Sequence, residues 1–189
     1  MKNICVFCSS SEVIDDVYFN EAKLLAEKIV KENKTFVFGG SGVGLMKHLA
    51  IHVNENNGEI IGVIPQKIFD KGLACKIVKN MIITPNMHTR KEKLTEISDA
   101  FIAMPGGFGT LDELFEVITL KQVGYHTKPI IILNTNGFYN DLVLFFETLY
   151  KEKVAKPDYR KIYHVAKNVD DAFSYLKNYS EEKSISKWF

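Results

Sequence analysis

The sequence lacks the features that mark secreted disulfide-rich, membrane-spanning or nucleic-acid-binding proteins. Its three cysteines are too few, and odd in number, for a disulfide framework. The longest apolar runs, such as residues 130–133, fall far short of the roughly 20 residues that a membrane-spanning helix needs. With 24 basic and 23 acidic side chains, the formal net charge is +1. The chain therefore carries no general field that would attract nucleic acid or an anionic membrane.

The first residues also lack the basic and apolar regions of a secretory signal. What is present is an ordinary globular balance, with 46% apolar and 25% charged residues. A length of 189 residues corresponds to one domain. We therefore expect a cytoplasmic protein in which residues 1–189 form a single domain, with neither nucleic acid nor membranes as partners.

Cys5 and Cys8 have the two-residue spacing of a zinc or redox pair. The segment around them is predicted to be a buried strand, however, and residues three apart on a strand point to opposite faces. Two sulfur atoms that face apart cannot share a metal, and Cys75 has no nearby pair. The pair His48 and His52 lacks a neighbouring carboxylate motif. We predict buried structural thiols and no metal site.

Short apolar runs alternate with helical patterns along the chain. The apolar runs show little polar alternation, which is typical of parallel strands covered on both faces. This order predicts a Rossmann-like α/β fold, a doubly wound parallel sheet with helices on both faces. Ligands of such sheets bind at the carboxyl ends of strands, near the reversal of strand order. The predicted strands are 4–8, 35–38, 60–64, 100–104, 130–133 and, more weakly, 163–165; the predicted helices are 16–31, 45–53, 89–97, 111–123, 139–152 and 169–179; residues 67–87 show little periodicity.

Two glycine-rich turns each follow a predicted strand and enter a predicted helix. The first, at 38–46, offers Gly40, Ser41 and Gly42 as secondary phosphate-loop candidates, and the second spans 104–110. Glycines let a backbone approach a ligand closely, and a helix N-terminus directs free N–H groups at an anion. Glycines also simply make tight turns, which is the preferred interpretation of one such turn. Two of them at carboxyl ends of strands favour a phosphate site.

The common nucleotide-binding patterns are missing from both turns. No Gly-Lys-Ser or Gly-Lys-Thr occurs, which excludes a P-loop. Lys47 stands where the third glycine of a dinucleotide fingerprint would fall, and no acidic residue ends the following strand. We therefore expect no nicotinamide, flavin or other cofactor.

Two charged clusters lie at predicted helix starts. Thr89 and Glu92 fit a capping box, which places Arg90 and Lys91 in the first turn. Cations there oppose the helix macrodipole at a cost of roughly 0.3–1 kcal/mol each. If an anion binds at this helix end, Arg90 and Lys91 attract it together with the helix dipole, and the electrostatic cost becomes a gain. If both side chains instead extend into solvent, the cost is small. Both interpretations of the first cluster stay open.

The second cluster contains Glu113. With Thr110 it also fits a capping box, which is its structural interpretation. Glu113 would nevertheless lie close to the proposed phosphate loop. A carboxylate that faces a bound sugar phosphate can stabilise an oxocarbenium-like ribosyl centre or activate a water. Glu116, one turn further on, is either an assisting group or a surface charge, and a surface charge is the preferred interpretation.

The motifs His-Thr-Arg-Lys at 88–91 and Pro-Gly-Gly-Phe-Gly-Thr-Leu-Asp-Glu at 105–113 resemble the paired signatures of the LOG ("Lonely guy") family. Its members are phosphoribohydrolases that release cytokinins or other bases from nucleoside 5′-monophosphates. The similarity spans roughly residues 2–153. Many relatives carry the label lysine decarboxylase, but this sequence has no pyridoxal-phosphate lysine motif. The resemblance implies a homodimer that acts on a nucleoside 5′-monophosphate.

The resemblance makes Arg90 and Glu113 the catalytic pair. Because arginine does not deprotonate at working pH, we assign Arg90 to electrostatic stabilisation and Glu113 to the ribosyl centre. Gly72 stands in place of a further family glutamate, and Asp112 replaces a glutamate common in plant members, so base preference stays open. The substrate contacts implied by the resemblance are Met87, Arg90, Lys91, Gly106, Gly107, Phe108, Gly109, Thr110, Leu111, Asp112, Glu113 and Thr119.

Two functions remain after this comparison of motifs. One is hydrolysis of the N-glycosidic bond of a purine nucleoside 5′-monophosphate, such as AMP or a cytokinin riboside 5′-monophosphate, to free base and ribose 5-phosphate. The other is a non-catalytic carrier of a nucleotide or phosphorylated cofactor on the same fold. Glycine loops serve both equally. The pair of Arg90 and Glu113 favours the enzyme, because phosphate binding alone gains nothing from a nearby carboxylate.

Overall fold

The computed structural model describes residues 1–181 of the chain. Its seven strands form one sheet, with helices between them. Residues 182–189, which make up most of the tail identified in the sequence at 180–189, lie outside the described residues. In chain order the elements are β1 (Asn3–Phe7), α1 (Asp16–Lys31), β2 (Thr35–Phe38), α2 (Gly44–Glu55), β3 (Glu59–Pro65), α3 (Gln66–Phe69), β4 (Asn80–Thr84), α4 (Met87–Ile97), β5 (Ala100–Ala103), α5 (Phe108–Gln122), β6 (Ile130–Leu133), α6 (Asn140–Lys151), β7 (His164–Ala166) and α7 (Val169–Asn178).

All neighbouring strands are parallel, in the order β4-β3-β2-β1-β5-β6-β7. Strand order reverses at β1, which lies between β2 and β5. Successive side chains of β1 enter opposite layers: Ile4 and Val6 pack with α1, α2 and α7, whereas Cys5 and Phe7 pack with α4, α5 and α6. The predicted doubly wound fold with helices on both faces is confirmed.

The six predicted strands and six predicted helices are all present, with boundaries shifted by at most three residues. The interpretation of 67–87 as irregular was incomplete, because β4 lies there and α3 overlaps its start. β4 is an edge strand, and most of its residues are only half-buried or exposed. A strand with one neighbour and a single short apolar run leaves little periodic signal.

Both predicted capping boxes were wrong. Helix α4 begins at Met87, and in its capping box the Asn86 side chain accepts from Thr89 N–H while the Thr89 hydroxyl oxygen accepts from Asn86 N–H. Arg90 is consequently the fourth helical residue, and its N–H already bonds to the Asn86 carbonyl. Helix α5 begins at Phe108 after Gly107, with no side-chain cap. In each case the helix starts earlier, because a residue upstream adopts the extended cap conformation.

The three cysteines are free and buried. Cys5 and Cys8 belong to the apolar layers on opposite sides of the sheet, so the predicted divergence of their sulfur atoms is confirmed. Within residues 1–181, no cluster of three or more His, Cys, Asp or Glu side chains has an arrangement suited to a metal ion. No helix in that part of the chain combines the length and apolarity needed to cross a membrane.

Candidate active site

A cleft of about 490 Å³ opens at the carboxyl ends of β1 and β5, where strand order reverses. Loops that follow β1, β2, β3 and β5 form its walls, together with the first turns of α4 and α5. A larger depression of about 610 Å³ lies near the amino ends of the strands, where this fold class does not place ligands. The cleft is lined by Cys8, Ser9, Ser10, Ser11, Gly39, Ser41, Met46, Pro65, Ile68, Met87, Arg90, Gly107, Phe108, Gly109, Thr110 and Glu113.

Arg90 and Glu113 form a buried ion pair in the wall of this cleft. Arg90 Nη1 lies 2.7 Å from Glu113 Oε1, and each side chain is only 10% exposed. Arg90 Nε also donates to the Val63 carbonyl oxygen at 3.2 Å. The guanidinium is therefore oriented by both the carboxylate and the end of β3. Removing either charge would leave the other buried and unpaired, which is strongly destabilising.

Gly39 makes room for this arginine. A Cβ at position 39 would overlap Arg90 Nη2. The glycine at the end of β2 therefore allows the guanidinium to lie against the backbone of the first glycine-rich turn. Sequence reasoning placed this turn beside a phosphate but did not connect Gly39 with Arg90, because the two are 51 positions apart in the chain.

Burial raises the pKa of Glu113, and the charge of Arg90 opposes that rise without cancelling it. Loss of hydration disfavours the ionised carboxylate more than the single guanidinium favours it. Glu113 is therefore more basic than an ordinary surface glutamate. A carboxylate with a raised pKa that borders a cleft is suited to accept a proton from water near neutral pH.

The N-terminus of α5 forms another part of the cleft. The N–H groups of Phe108, Gly109 and Thr110 have no acceptor among residues 1–181. A Cβ at Gly107 or Gly109 would meet nothing within 4 Å, so the space beside this helix end is open. Free N–H groups at a helix start, together with the positive end of its dipole, are suited to bind an anion.

The first glycine-rich turn is largely engaged within the protein. Gly42 N–H donates to the Leu73 carbonyl at 2.8 Å, and the Gly40 carbonyl accepts from Cys75 N–H at 2.9 Å. Of the three secondary phosphate-loop candidates, only Ser41 lines the cleft. Gly40 and Gly42 instead attach this turn to the segment between α3 and β4.

The predicted substrate contacts divide into two groups. Met87, Arg90, Gly107, Phe108, Gly109, Thr110 and Glu113 line the cleft. Within the described residues, five of the predicted contacts do not line the cleft: Lys91, Gly106, Leu111, Asp112 and Thr119. Lys91 pairs instead with Asp112 and Glu116, and Thr119 is exposed further along α5. Gly106 instead leaves room for the Thr110 side chain, because a Cβ at position 106 would overlap Thr110 Oγ1.

Sequence reasoning missed several lining residues. Ser9, Ser10 and Ser11 follow β1 and line the cleft beside the second glycine-rich turn, where Ser9 N–H donates to the Pro105 carbonyl at 3.2 Å. Met46, Pro65 and Ile68 supply an apolar wall. Each of these residues follows a predicted strand, so the rule that ligands bind at carboxyl ends of strands was the available signal.

Comparison with known proteins identifies one matching family model and several relatives with similar names. A family model described as "Possible lysine decarboxylase" matches residues 46–176. The chain is 38% identical to cytokinin riboside 5′-monophosphate phosphoribohydrolase LOG5 of Arabidopsis thaliana, over 94% of this chain and 78% of that protein. It is 37% identical to the probable cytokinin riboside 5′-monophosphate phosphoribohydrolase LOGL2 of Oryza sativa subsp. japonica, over 98% of this chain and 77% of that protein.

Solved structures show the same fold in more distant proteins. The molybdenum cofactor carrier protein of Chlamydomonas reinhardtii matches with a TM-score of 0.73 and 22% identity, over 93% of this chain and 96% of that chain. The molybdenum cofactor binding protein of Rippkaea orientalis matches with a TM-score of 0.71 and 22% identity, over 94% and 96% of the two chains. With relatives of 36–38% identity along nearly its whole length, this chain belongs to the LOG family.

Proposed function

We propose that this protein is a hydrolase that cleaves the N-glycosidic bond of a purine nucleoside 5′-monophosphate, giving free base and ribose 5-phosphate. The observation that carries the proposal is the buried ion pair in the wall of the cleft, where Arg90 Nη1 lies 2.7 Å from Glu113 Oε1. The N-terminus of α5 lines the same cleft. The names of relatives at 36–38% identity support the same activity. AMP and cytokinin riboside 5′-monophosphates are the substrates to compare.

The cleft has separate regions that suit the parts of such a substrate. The 5′-phosphate belongs at the N–H groups of Phe108, Gly109 and Thr110, where a helix dipole favours negative charge. The ribose then lies beside Glu113. The base faces the apolar wall of Met46, Pro65 and Ile68. Stacked or edge contacts with these side chains bury purine surface without requiring a particular exocyclic group.

The chemistry follows from the charges in the site. Water attacks the anomeric carbon, a new carbon–oxygen bond forms there, and the bond to the purine nitrogen breaks with its electron pair leaving on the base. Glu113 accepts the proton of the attacking water or faces the oxocarbenium-like centre as a counter-charge. Arg90 stabilises the phosphate, ribose or departing base by hydrogen bonding and charge. The leaving base takes up a proton from solvent as it departs.

A carrier function is the weaker alternative. The solved structures named as molybdenum cofactor carrier or binding proteins are 22% identical to this chain, which supports a common fold and nothing finer. A carrier of a phosphorylated ligand would hold it better without a carboxylate in the wall, because two negative charges at close range repel. The buried Glu113 therefore favours turnover.

Incubation of the purified protein with AMP and with isopentenyladenosine monophosphate tests the proposal, with free base measured by chromatography. We expect release by the wild type. Glu113→Gln keeps the shape of the side chain but removes its charge, so we expect release to fall by about 10²-fold or more while AMP binding measured by calorimetry is largely retained.

Two outcomes would contradict this assignment. Equal release by Glu113→Gln would remove the carboxylate from the mechanism. AMP binding by the wild type without any release of base would favour the carrier. Arg90→Ala serves as a companion variant in which both binding and release fall, because the guanidinium is assigned to substrate as well as to Glu113.

A further inference from the structure

Lys91 lies next to the catalytic pair but outside the cleft. Its Nζ is 2.9 Å from Asp112 Oδ1 and also pairs with Glu116, and its side chain is 13% exposed. A space too small for a water molecule, walled in part by Lys91, Glu113 and Glu116, lies between α4 and α5. Glu113 borders both this space and the cleft. Lys91 is therefore on the far side of Glu113 from the cleft.

The helical spacing explains this division of roles. Arg90 and Lys91 are consecutive residues of α4, so their side chains leave the helix in different directions. Asp112 and Glu116 are one turn apart on α5 and share a face, which presents both carboxylates to a single ammonium group. The two helices are thus joined by two neighbouring bridges, one beside the cleft and one behind it.

The charge of this group argues against phosphate binding by Lys91. One ammonium and two carboxylates make a cluster with a formal charge of −1. Burial lowers the pKa of Lys91, but its hydrogen bonds to Glu116 and Asp112 outweigh burial and raise the pKa above 10.5. The ammonium stays charged and paired at working pH. An approaching phosphate would meet a group that is negative overall.

We propose that Lys91 is a positioning residue that holds α5 against α4 through Asp112 and Glu116, and so keeps Glu113 at the correct distance from Arg90 without touching the substrate. This role rests on the proposed hydrolysis. It differs from the substrate contact that the family resemblance implies for Lys91. A small displacement of a catalytic carboxylate is enough to slow a reaction strongly while leaving substrate affinity nearly unchanged.

Steady-state kinetics of base release from AMP tests the proposal with four variants: Lys91→Met, Asp112→Asn/Glu116→Gln, the combination of all three, and Lys93→Met as a control. Lys93 is on the same helix and pairs only along it, with Glu96, in the ion pairs of the described residues. We expect the first two variants to lower kcat by about tenfold or more, with KM for AMP within about twofold of the wild type. The combination should be no worse than either, and the control should be unchanged.

The pH profile gives a readout that a purely structural role would not move. The charge of Lys91 lowers the pKa of Glu113, so the acid limb of kcat should shift to higher pH in Lys91→Met and return in Lys91→Arg. Normal kcat in the double acidic variant would overturn the proposal, as would additive losses in the combination. If Lys91→Met does not fold, the kcat of Asp112→Asn/Glu116→Gln still decides whether the bridge between α4 and α5 is needed for the reaction.

Failure of the inference is distinguishable from failure of the proposed function. Absence of base release by the wild type overturns the function, and AMP affinity measured by calorimetry then decides the role of Lys91. A weakening of AMP binding by about tenfold or more in Lys91→Met identifies a substrate contact and overturns the inference. Unchanged affinity supports it.

Discussion

At the scale of single residues, the environment of Glu113 determines how the site responds to pH. Burial raises the pKa of this carboxyl above the ordinary value of 4.5, although Arg90 opposes the rise. In the proposed reaction, the ionised form of Glu113 is the one that accepts a proton or faces a developing positive charge. If Glu113 has this role, its raised pKa moves the pH range of the proposed reaction upward.

The first prediction concerns the pH dependence of kcat for base release. As pH falls through the raised pKa of Glu113, the carboxylate is protonated and the rate should fall, so the acid limb should lie above 4.5. Rates measured between about pH 4 and 9 in buffers of constant ionic strength check this. An acid limb at or below the ordinary glutamate value would show that another group controls the rate.

A second prediction concerns Gly39. In Gly39→Ala the new methyl group would overlap Arg90 Nη2, so the guanidinium must shift, and we expect its pairing with Glu113 to be disturbed. Because the displaced atoms are the end of a flexible side chain, we expect a folded protein whose kcat falls by about 10²-fold. Urea denaturation and AMP kinetics measure the two effects.

The double variant Gly39→Ala/Arg90→Ala is the control for this prediction. If Gly39→Ala acts through the guanidinium, the substitution should have little further effect once Arg90 is absent. Independent, additive losses would show that Gly39 contributes in another way, such as by direct approach to the substrate.

At the scale of elements, the site depends on where two helices begin. Helix α5 starts at Phe108 without a side-chain cap, which leaves its first N–H groups available to a ligand. Helix α4 starts behind Asn86, whose side chain accepts from the N–H groups of His88 and Thr89. The first N–H groups of α4 are thus bonded to its own cap, and this helix carries Arg90. The first N–H groups of α5 have no such cap.

The third prediction tests the start of α4. Asn86→Ala removes the cap, which should lower the free energy of unfolding by about 1 kcal/mol and loosen the turn that carries Arg90, so kcat should also fall. Asn168→Ala removes the comparable cap of α7, where Asn168 accepts from Asp171 N–H. That control should lose similar stability in urea denaturation but keep its activity. Equal activities of the two variants would show that the cap has no bearing on the site.

At the scale of the whole molecule, strand order brings the site together. β1 lies between β2 and β5, so the loops after these strands converge on one cleft although they are far apart in sequence. Asp99 joins the starts of β1 and β5, because its carboxylate accepts from Lys2 N–H at 2.6 Å and Asn3 N–H at 2.9 Å.

The fourth prediction concerns this tie between strands. Burial raises the pKa of Asp99, but its hydrogen bonds from Asn3 and Lys2 outweigh burial and hold the pKa below 3.8. The charged form therefore contributes stability above pH 3.8, and that contribution is lost as pH falls through the lowered pKa. Asp99→Asn should reduce the free energy of unfolding at pH 7 by about 1 kcal/mol.

Denaturation of the wild type and of Asp99→Asn at several pH values checks this prediction. The difference between them should shrink at the acidic end. Glu12→Gln, which changes an exposed carboxylate, should leave the wild-type stability nearly unchanged throughout. A difference that persists unchanged into acid would assign the effect to packing rather than charge.

Assembly also belongs to this scale. The family resemblance leads us to propose a homodimer, and light scattering after gel filtration would distinguish a dimer from a monomer of 21.5 kDa. The exposed Phe108 at the rim of the cleft is 93% accessible in the single chain. A neighbouring subunit near this rim would change the surroundings of the substrate.

The sequence by itself determined the fold class of this protein and the positions of the two glycine-rich turns that border its cleft. Apolar runs without polar alternation specify buried parallel strands, and glycine-rich turns between strand and helix are local signals that need no long-range information. The choice of Arg90 and Glu113 came from motif resemblance to a family. The cap of α4 was misplaced because both Asn86 and Thr89 are suitable capping residues in sequence.

Only the tertiary structure decided which side chains meet. The contact of Gly39 with Arg90, the burial that raises the pKa of Glu113, and the pairing of Lys91 with Asp112 and Glu116 all join different elements. Such contacts depend on strand order and on the rotation of each helix about its axis. Hydrophobic periodicity tells which face of a helix is buried, but a polar side chain finds its partner only when two elements are packed together.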